Sequence, residues 1–563
     1  MPGPALIPAS AFAPPPNPTP GRRIADVVIF LLLLGGTAAL ALRRGQDANW
    51  DLQNYHFYNP WAWANGRRGY THDIVAAQLQ TYHSPIPDLP FYWMVDAAWD
   101  PRWITVVLAL PAAVAAFVLL KVLNLLFADL PARERVAAVT LAFVVGASSA
   151  MSLAVLGTTM NEWPGALLTL AGVWLVVRDL VTRGGAPLSR WTLVGAGLLC
   201  GLAAGLKLTF GLFAFALCVA LWLRRPRPWS ALLRGFREAF VFGLAVLAGT
   251  ALAGGAWMWQ MWTELGSPVF PYGNVWIKSP WWGQYEVMGR PYGPHTLREW
   301  LVFPFTLLAP KAFYVTETEY VDARMPVLYA LALAAGVAFL VRRGRGGFAG
   351  NAPPPAVAGA RTGEAWRVVA LFFVLAFVLW THQFSIYRYL VPLEMLTGAL
   401  VVALLFHLMR PGYALPAALV LSAVLVFSTR PPDWWHVEFK DKWFDVQVPP
   451  VEPDALVLLT SDGPMSYVLP YFPPDARFFG LQNSINDPKR KTLMAETIAR
   501  DIKAHKGPLY SLTYPANTGV DTLLAHDLLR LTETCRDVTT NMRTSPIQLC
   551  RLFRIPPNWG DRR

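Results

Sequence analysis

Two acids and a run of aromatic residues follow the first apolar segment of the chain, in Asp47-Ala-Asn-Trp50-Asp51-Leu-Gln-Asn-Tyr55-His56-Phe57-Tyr-Asn-Pro-Trp61. A second acidic, aromatic stretch follows in Tyr82-His83-Ser-Pro-Ile-Pro-Asp88-Leu-Pro-Phe-Tyr92. A hydroxyl is a poor nucleophile, and a carboxylate within hydrogen-bond reach takes its proton as the new bond forms, so Asp51 is a candidate general base or acceptor-orienting group. Partial burial among Trp50, Tyr55, Phe57 and Trp61 is expected to raise its basicity, with Asp47 adding like-charge pressure in the same direction. The competing role for Asp51 is a helix N-cap. The aromatic residues have two readings as well: an interfacial belt, or platforms on which the apolar faces of sugar rings stack.

The elements that must hold these residues are membrane helices. Of the 563 residues, 54% are hydrophobic and 15% charged, mean hydropathy is +0.36, and apolar runs of spanning length recur. A formal net charge of +12 would suit a nucleic-acid partner, but the arginines lie in short segments between apolar runs, the pattern of positive charge retained on the cytoplasmic side. No nucleic acid is expected. Residues 1–21, rich in Pro and Ala, read as a disordered cytoplasmic tail. Arg22 and Arg23 then precede Ile24 to Leu42, which is longer than a signal-peptide core and reads as an uncleaved anchor.

Further apolar runs lie near Trp103 to Phe127, Val136 to Leu156, Trp163 to Val177, Trp191 to Leu208, Phe210 to Leu223, Phe240 to Trp259, Met325 to Val341, Val368 to Trp380, Tyr389 to Leu408 and Tyr413 to Phe427. With the first, they predict about eleven transmembrane helices over residues 22–428. An N-terminus inside places the clusters around Arg133, Arg183, Arg225, Arg343 and Arg410 on the inner side. It places outside the loops 45–102 and 261–324, the turn Gly157 to Glu162, and everything after Thr429. Asp88 to Ala98 and Trp300 to Leu308 are too short to span and read as interfacial helices.

Residues 429–563 change character. Leu456 to Thr460 and Ala476 to Gly480 read as strands, Thr492 to His505 and Thr522 to Leu531 as amphipathic helices, which together make a small extracytoplasmic α/β domain. Cys535 and Cys550 lie in it. An exported location permits a bridge between them that would stabilise the domain by roughly 3 kcal/mol, the alternative being two free thiols.

In the order and topology of its motifs the chain resembles the GT-C superfamily of polytopic membrane glycosyltransferases. The motifs are the acidic first outer loop ending at Asp51, the segment Tyr82-His83-Ser-Pro-Ile-Pro-Asp88, the turn Thr158-Thr-Met-Asn-Glu162, the stretch Gly197-Leu-Leu-Cys-Gly-Leu-Ala-Ala-Gly-Leu-Lys207, and Tyr387-Arg388-Tyr389-Leu-Val-Pro392. The resemblance covers roughly Ile24 to Phe427. It implies inverting sugar transfer from a polyprenyl-phosphate-linked donor to a glycan or lipid acceptor at the outer face of a bacterial inner membrane, with the N-terminus cytoplasmic and the C-terminus periplasmic. Asp51 takes the first-loop acid role by position.

The family places a second acid before the fourth helix. Glu162 occupies that place, either orienting the acceptor or a cation with Asp51, or stabilising a helix dipole. A leaving lipid phosphate wants fixed cations, and Arg388 can grip two phosphate oxygens at once, its alternative being interfacial snorkelling. Lys278 and Arg290 in the long outer loop are further phosphate candidates, with Lys207 and Arg298 behind them. Asp47, Trp50, Tyr55, His56, His83 and Tyr389 complete the expected substrate-binding set. The histidines show no metal-site spacing, a phosphate ester is already a competent leaving group, and no metal or other cofactor is expected to be required, a divalent cation being the one alternative. Two other classes fit parts of the pattern: a secondary transporter, and an O-antigen ligase or polymerase that would not depend on Asp51.

Overall fold

A computed structural model describes residues 20–184, 186–225, 228–285, 292–344, 357–359, 361–481 and 492–556. The expected tail 1–21 lies almost wholly outside the described residues, as does Arg290. Each predicted apolar run is helical, except that Val136 to Leu156 is broken at Ser148 and Ser149 into two shorter helices. The chain runs through α1 (Pro20–Arg44), α2 (Tyr58–Ala64), α3 (Leu89–Asp96), α4 (Pro101–Leu126), α5 (Ala132–Ala147), α6 (Ala150–Ala154), α7 (Glu162–Arg183), α8 (Arg190–Leu206) and α9 (Gly211–Leu223). It continues through α10 (Trp229–Leu265), α11 (Asn274–Ile277), α12 (Leu297–Thr306), α13 (Arg324–Gly344), α14 (Gly363–Gln383), α15 (Val391–Leu408) and α16 (Pro411–Ser428).

Seven of these, α1, α4, α7, α10, α13, α14 and α15 with its preceding turn, are long and apolar enough to cross a membrane, so the chain is a multi-pass membrane protein. Helices α8, α9 and α16 are apolar but shorter. The segments read as interfacial are helices of eight and ten residues, α3 and α12. Leu32, Leu247, Leu252 and Phe427 stay exposed on α1, α10 and α16, the surface a lipid-facing helix presents.

Small residues bring the helices together. On α8, Gly197, Gly201 and Gly205 lie one turn apart and face α10, where a Cβ on Gly201 would stand 2.2 Å from the Val246 carbonyl oxygen. Helices α5 and α15 cross the same way, a Cβ on Gly398 falling 2.0 Å from the Ala142 carbonyl. Helix α15, the most deeply buried span, therefore runs through the middle of the bundle.

The segments predicted to lie outside meet at one end of the bundle and those predicted inside meet at the other. At the end predicted to be inner, Arg224 pairs with Glu238 and Glu364, and the Leu188 amide donates to Glu238. At the end predicted to be outer, Arg44 donates to the carbonyls of Leu153 and Pro432.

Beyond α16 the chain builds a sheet. Strand β1 (Gln46–Asp47), in the first outer loop, pairs antiparallel with β2 (His436–Val437). The strands β3 (Val446–Gln447), β4 (Leu456–Leu459), β5 (Arg477–Gly480), β6 (Leu509–Thr513), β7 (Leu528–Arg530), β8 (Arg536–Thr540) and β9 (Ile547–Arg554) form one sheet in the order β3-β8-β9-β6-β4-β5, β7 also pairing with β9. Strands β5, β4 and β6 are parallel, and α17 (Leu493–Ala504) supplies the crossover from β5 to β6. The two strands and the helix read from residues 456–505 are present. The helix expected over 522–531 is not: α18 (Val520–Leu524) is short, and Leu528–Arg530 joins β9 instead. Cys535 and Cys550 are disulfide-bonded, tying the start of β8 to β9.

This domain is not packed apart from the membrane module. Phe57 and Phe91 of the first outer loop share a buried core with Trp443, Phe444 and Tyr467, ring centroids lying 4.5 Å apart for Phe57–Phe444 and 5.1 Å for Phe91–Trp443. The loop backbone at His72 and Ile74 also accepts from Phe478 and Gly480, covering the open edge of β5.

Candidate active site

After α1 the chain makes a tight scaffold before it reaches Asp51. The Asp47 carboxylate accepts from the Asn49 amide and side chain and from the Thr159 amide (2.9 Å) and hydroxyl (2.9 Å). Asp47 is fully buried, with both oxygens spent on pinning the first loop to the turn before α7. It is a structural acid, which corrects its expected place among substrate-binding residues: its lone pairs are already filled. The Asn49 side chain in turn accepts from the Leu52 amide, and Leu52–His56 form a buried π-turn.

Asp51 sits inside the helical turn at φ −64° and ψ −40° and caps nothing. Its Oδ2 instead accepts from Arg388 Nη1 at 2.7 Å, across 337 residues of sequence. Arg388 comes from the turn Tyr387–Leu390 that leads into α15, and its guanidinium lies 5.6 Å from the Tyr389 ring and 5.8 Å from the Trp434 ring. Lys207 stands on the other side of Tyr389, 5.0 Å from the ring, and donates to Glu162 Oε1 and to the Met160 carbonyl at 3.0 Å. Glu162 Oε1 is also 4.0 Å from Arg388 Nε, which links two acids and two cations in one cluster, the ring around Tyr389.

The ring is not saturated. Glu162 Oε2, Arg388 Nε and Glu317 Oε2 are buried with no hydrogen-bond partner. These three atoms have hydrogen-bonding capacity to spare beside the paired acids and cations. Burial pushes the Asp51 carboxyl up, but Arg388, with His56 and Lys207, outweighs it and holds the group below the ordinary carboxylate range. The expected rise in basicity is corrected: the neighbouring cations, with Arg388 at hydrogen-bond distance, together outweigh burial. Tyr292 faces the same ring, its hydroxyl pushed up to about 12 by burial and by Glu317.

Two histidines border it. His83 Nε2 lies 2.7 Å from the Tyr272 hydroxyl, with their rings stacked at 5.9 Å, and Tyr55 meets His83 edge-on at 5.2 Å. Burial lowers the His83 pKa to about 4, with Asp51 pulling the other way, so His83 is neutral at pH 7. His56 Nδ1 is 2.9 Å from Asp88 Oδ2, and Asp88 Oδ1 accepts from Asn161 at 2.6 Å.

Asp51, Glu162, Arg388 and Tyr389 thus converge, with Tyr55, His56 and His83 against them. Trp50 is half-buried at the start of the turn. Lys278 is exposed at the end of α11 and takes part in none of these pairs. Lys207, read from the sequence only as a secondary candidate, is central; a lone lysine within the apolar stretch 191–223 was the signal. Glu317, Tyr272, Tyr292 and Trp434 were missed, since nothing in an outer-loop acid or an interfacial aromatic separates it from its neighbours. Among the described residues no group of three or more His, Cys, Asp or Glu side chains is placed to hold a metal ion.

No family model and no curated protein matches the chain. Solved structures do. One is the Archaeoglobus fulgidus oligosaccharyltransferase tethered with an acceptor peptide, at 12% identity over 86% of this chain and 69% of that one, with a TM-score of 0.44. Another is the same archaeal enzyme, AglB, in complex with an inhibitory peptide and a dolichol-phosphate, at 13% identity and a TM-score of 0.40 over the same shares. A third is ArnT of Cupriavidus metallidurans bound to undecaprenyl phosphate, at 13% identity over 93% of this chain and 97% of that one, with a TM-score of 0.35. Superpositions this loose assign no residue of this chain a role.

Proposed function

We propose that the chain is a GT-C-type glycosyltransferase that moves a hexosyl or pentosyl group, with inversion, from a polyprenyl-phosphate-linked donor to an envelope glycan or lipid acceptor. The reaction takes place at the outer face of a bacterial inner membrane. The observation that carries this reading is the buried Asp51–Arg388 pair beside Glu162–Lys207, two acids and two cations presented together at the loop end of a membrane bundle.

The pairing gives a mechanism. Arg388 and Lys207 flank Tyr389 and are placed to take the two sides of a lipid phosphate, Arg388 by a fork of two donors and Lys207 as a point charge. When Arg388 turns to the phosphate, Asp51 loses its hydrogen-bonded partner and the largest of the charges that depress its pKa, and burial then raises its basicity. The donor thereby switches on its own base. Asp51 takes the acceptor proton as the acceptor oxygen bonds to the anomeric carbon, and the bond from that carbon to the phosphate oxygen breaks with the electron pair leaving on phosphate. Glu162 orients the acceptor, and no step calls for a metal ion.

Mass spectrometry of envelope glycans and polyprenyl-phosphate sugars from a deletion strain tests this. Complementation with the wild-type chain should restore a missing glycan, and Asp51→Asn should leave the sugar on the lipid. Restoration by Asp51→Asn to the wild-type level would refute the assignment and favour a ligase-like enzyme; substrate uptake by proteoliposomes without sugar transfer would favour a transporter.

A further inference from the structure

At the end of the bundle predicted to be outer, a cleft opens between α2, the turn that follows it and the last turns of α10. It holds about 440 Å³ of empty space, counting its open mouth, and Asp51, Glu162, Lys207 and Arg388 lie outside its lining. Four aromatic side chains wall it, and each is held by its polar tip. The Tyr58 hydroxyl donates to Asp73 Oδ2 at 2.7 Å, the Tyr82 hydroxyl to the Gly69 carbonyl at 3.1 Å, Trp257 Nε1 to the Tyr82 carbonyl at 3.0 Å and Trp63 Nε1 to Gln260 Oε1 at 3.3 Å. Rings fixed in this way keep the cleft formed before anything binds.

The polar groups around the rings sort what the cleft takes. Arg67 lines it but is committed to the Asp73 carboxylate and to the carbonyls of Pro474 and Ala476, and Arg68 at its edge pairs with Glu264. Neither guanidinium is free for a phosphate. Asn59, 5% exposed, donates to the carbonyls of Gln80 (2.7 Å) and His83 (3.2 Å), while its Oδ1 is buried with no hydrogen-bond partner. A lipid chain would leave that acceptor unpaired, at the cost that attends any buried polar atom without a partner. Aromatic walls with amide and carboxylate oxygens among them suit a neutral ring that is apolar on its C–H faces and carries hydroxyls at its edge, which is a sugar. The cleft also meets the Asp51 cluster at one residue: Asn59 grips the backbone of His83, whose side chain stands against Tyr55 and Tyr272.

Resting on the transferase reading above, we infer that this cleft is an acceptor subsite, holding one sugar ring of a glycan acceptor away from the hydroxyl that Asp51 engages. The ring stacks on Trp63, which is 41% exposed, and one of its hydroxyls donates to Asn59 Oδ1. Contacts so far from the reacting atoms are made equally in the ground and transition states, so they set affinity for the acceptor and leave the chemical step alone.

Two measurements on the full-length chain in detergent micelles test this. The first needs no turnover: saturation-transfer-difference NMR, with oligosaccharides released from the envelope of the deletion strain as probe. Sugar-ring signals should appear with the wild type and with Asp51→Asn, persist with Trp63→Phe and fall about 3- to 10-fold with Trp63→Ala, the loss expected for one stacked ring. The second follows release of free polyprenyl phosphate against the concentration of the same oligosaccharides. Trp63→Ala and Gln260→Ala should each raise KM by about 3- to 10-fold and change kcat by less than about 2-fold, a split that a merely structural role would not give. No sugar signal with the wild type, an undiminished signal with Trp63→Ala, or kcat falling in step with any rise in KM would overturn the inference and leave the transferase reading standing. Sugar signals that follow the expected pattern without any wild-type phosphate release would instead uphold the cleft as a glycan site and count against the transferase reading.

Discussion

Replacing Arg388 with Gln should cost more than replacing Asp51 with Asn, and the difference follows from what each leaves behind. Both side chains are about nine-tenths buried, at 12% and 10% exposed, and removing one member of such a pair typically costs about 3–5 kcal/mol because the other stays charged and unpaired. With Arg388 gone, Asp51 keeps only Lys207 as a neighbouring cation, while Glu162 and Glu317 lose the guanidinium they faced. Three carboxylates then share one lysine, so the upper end of that range, about 4–5 kcal/mol, is expected. With Asp51 gone, Arg388 retains Glu162 at 4.0 Å and the faces of Tyr389 and Trp434, and about 1–3 kcal/mol is expected. The double variant removes both charges and should recover about 1–3 kcal/mol relative to the sum of the single changes. A double-mutant cycle read by titrating the purified chain with denaturing detergent measures this. Additivity of the two changes within about 0.5 kcal/mol would show that the pair is not coupled and would refute the reasoning about Asp51 basicity. Transfer activity should be lost in all three variants, and Arg388→Lys should restore stability better than activity, because a point charge cannot grip two oxygens.

Three further outcomes are expected. Gly201→Val should prevent close packing of α8 on α10, since its Cβ would lie 2.2 Å from a backbone oxygen, whereas Gly36→Ala meets nothing within 4 Å; size-exclusion profiles should show aggregation of the first and a normal peak for the second. His83 binds its proton near pH 4 when folded and near 6.5 when unfolded, so the unfolded chain holds more protons between those values and stability falls as pH drops through that window, by ~2–3 kcal/mol. Thermal melts from pH 7 to 4 should show this, and His83→Asn should flatten the slope. Replacing Cys535 and Cys550 with Ser should destabilise the C-terminal sheet by ~3 kcal/mol, as expected for a crosslink spanning 15 residues, and treating the wild type with a reductant should lower the melting point to match.

The helical frame and the partners Asp51 and Arg388 were legible because membrane spans announce themselves by composition and because charges at their ends are few. Strands β4 and β5 were legible as apolar runs bounded by turn residues. The amphipathic pattern over 522–531 misled, since Leu528, Leu529 and Arg530 gain more from the β9 edge than from a local helix, and that edge is formed far along the chain. Asp47 and Asp51 look alike in sequence. Only the fold brings Thr159 to one and Arg388 to the other. The π-turn has no local signature, because it depends on Asn49, Gln53 and the aromatic core against which the turn is pressed.

The pairing of Gln46 with Val437 orders the events of synthesis. The strand that leads into Asp51 leaves the ribosome early, and its partner follows about 390 residues later, which at about 5–20 residues per second is a wait of roughly 20–80 s. Throughout that interval the loop has neither its β partner nor the Trp443–Phe444 face, and for most of it no Arg388. A chain stopped before residue 437 would insert its helices yet leave this loop without its strand partner, so the loop is finished only after every membrane helix has been made.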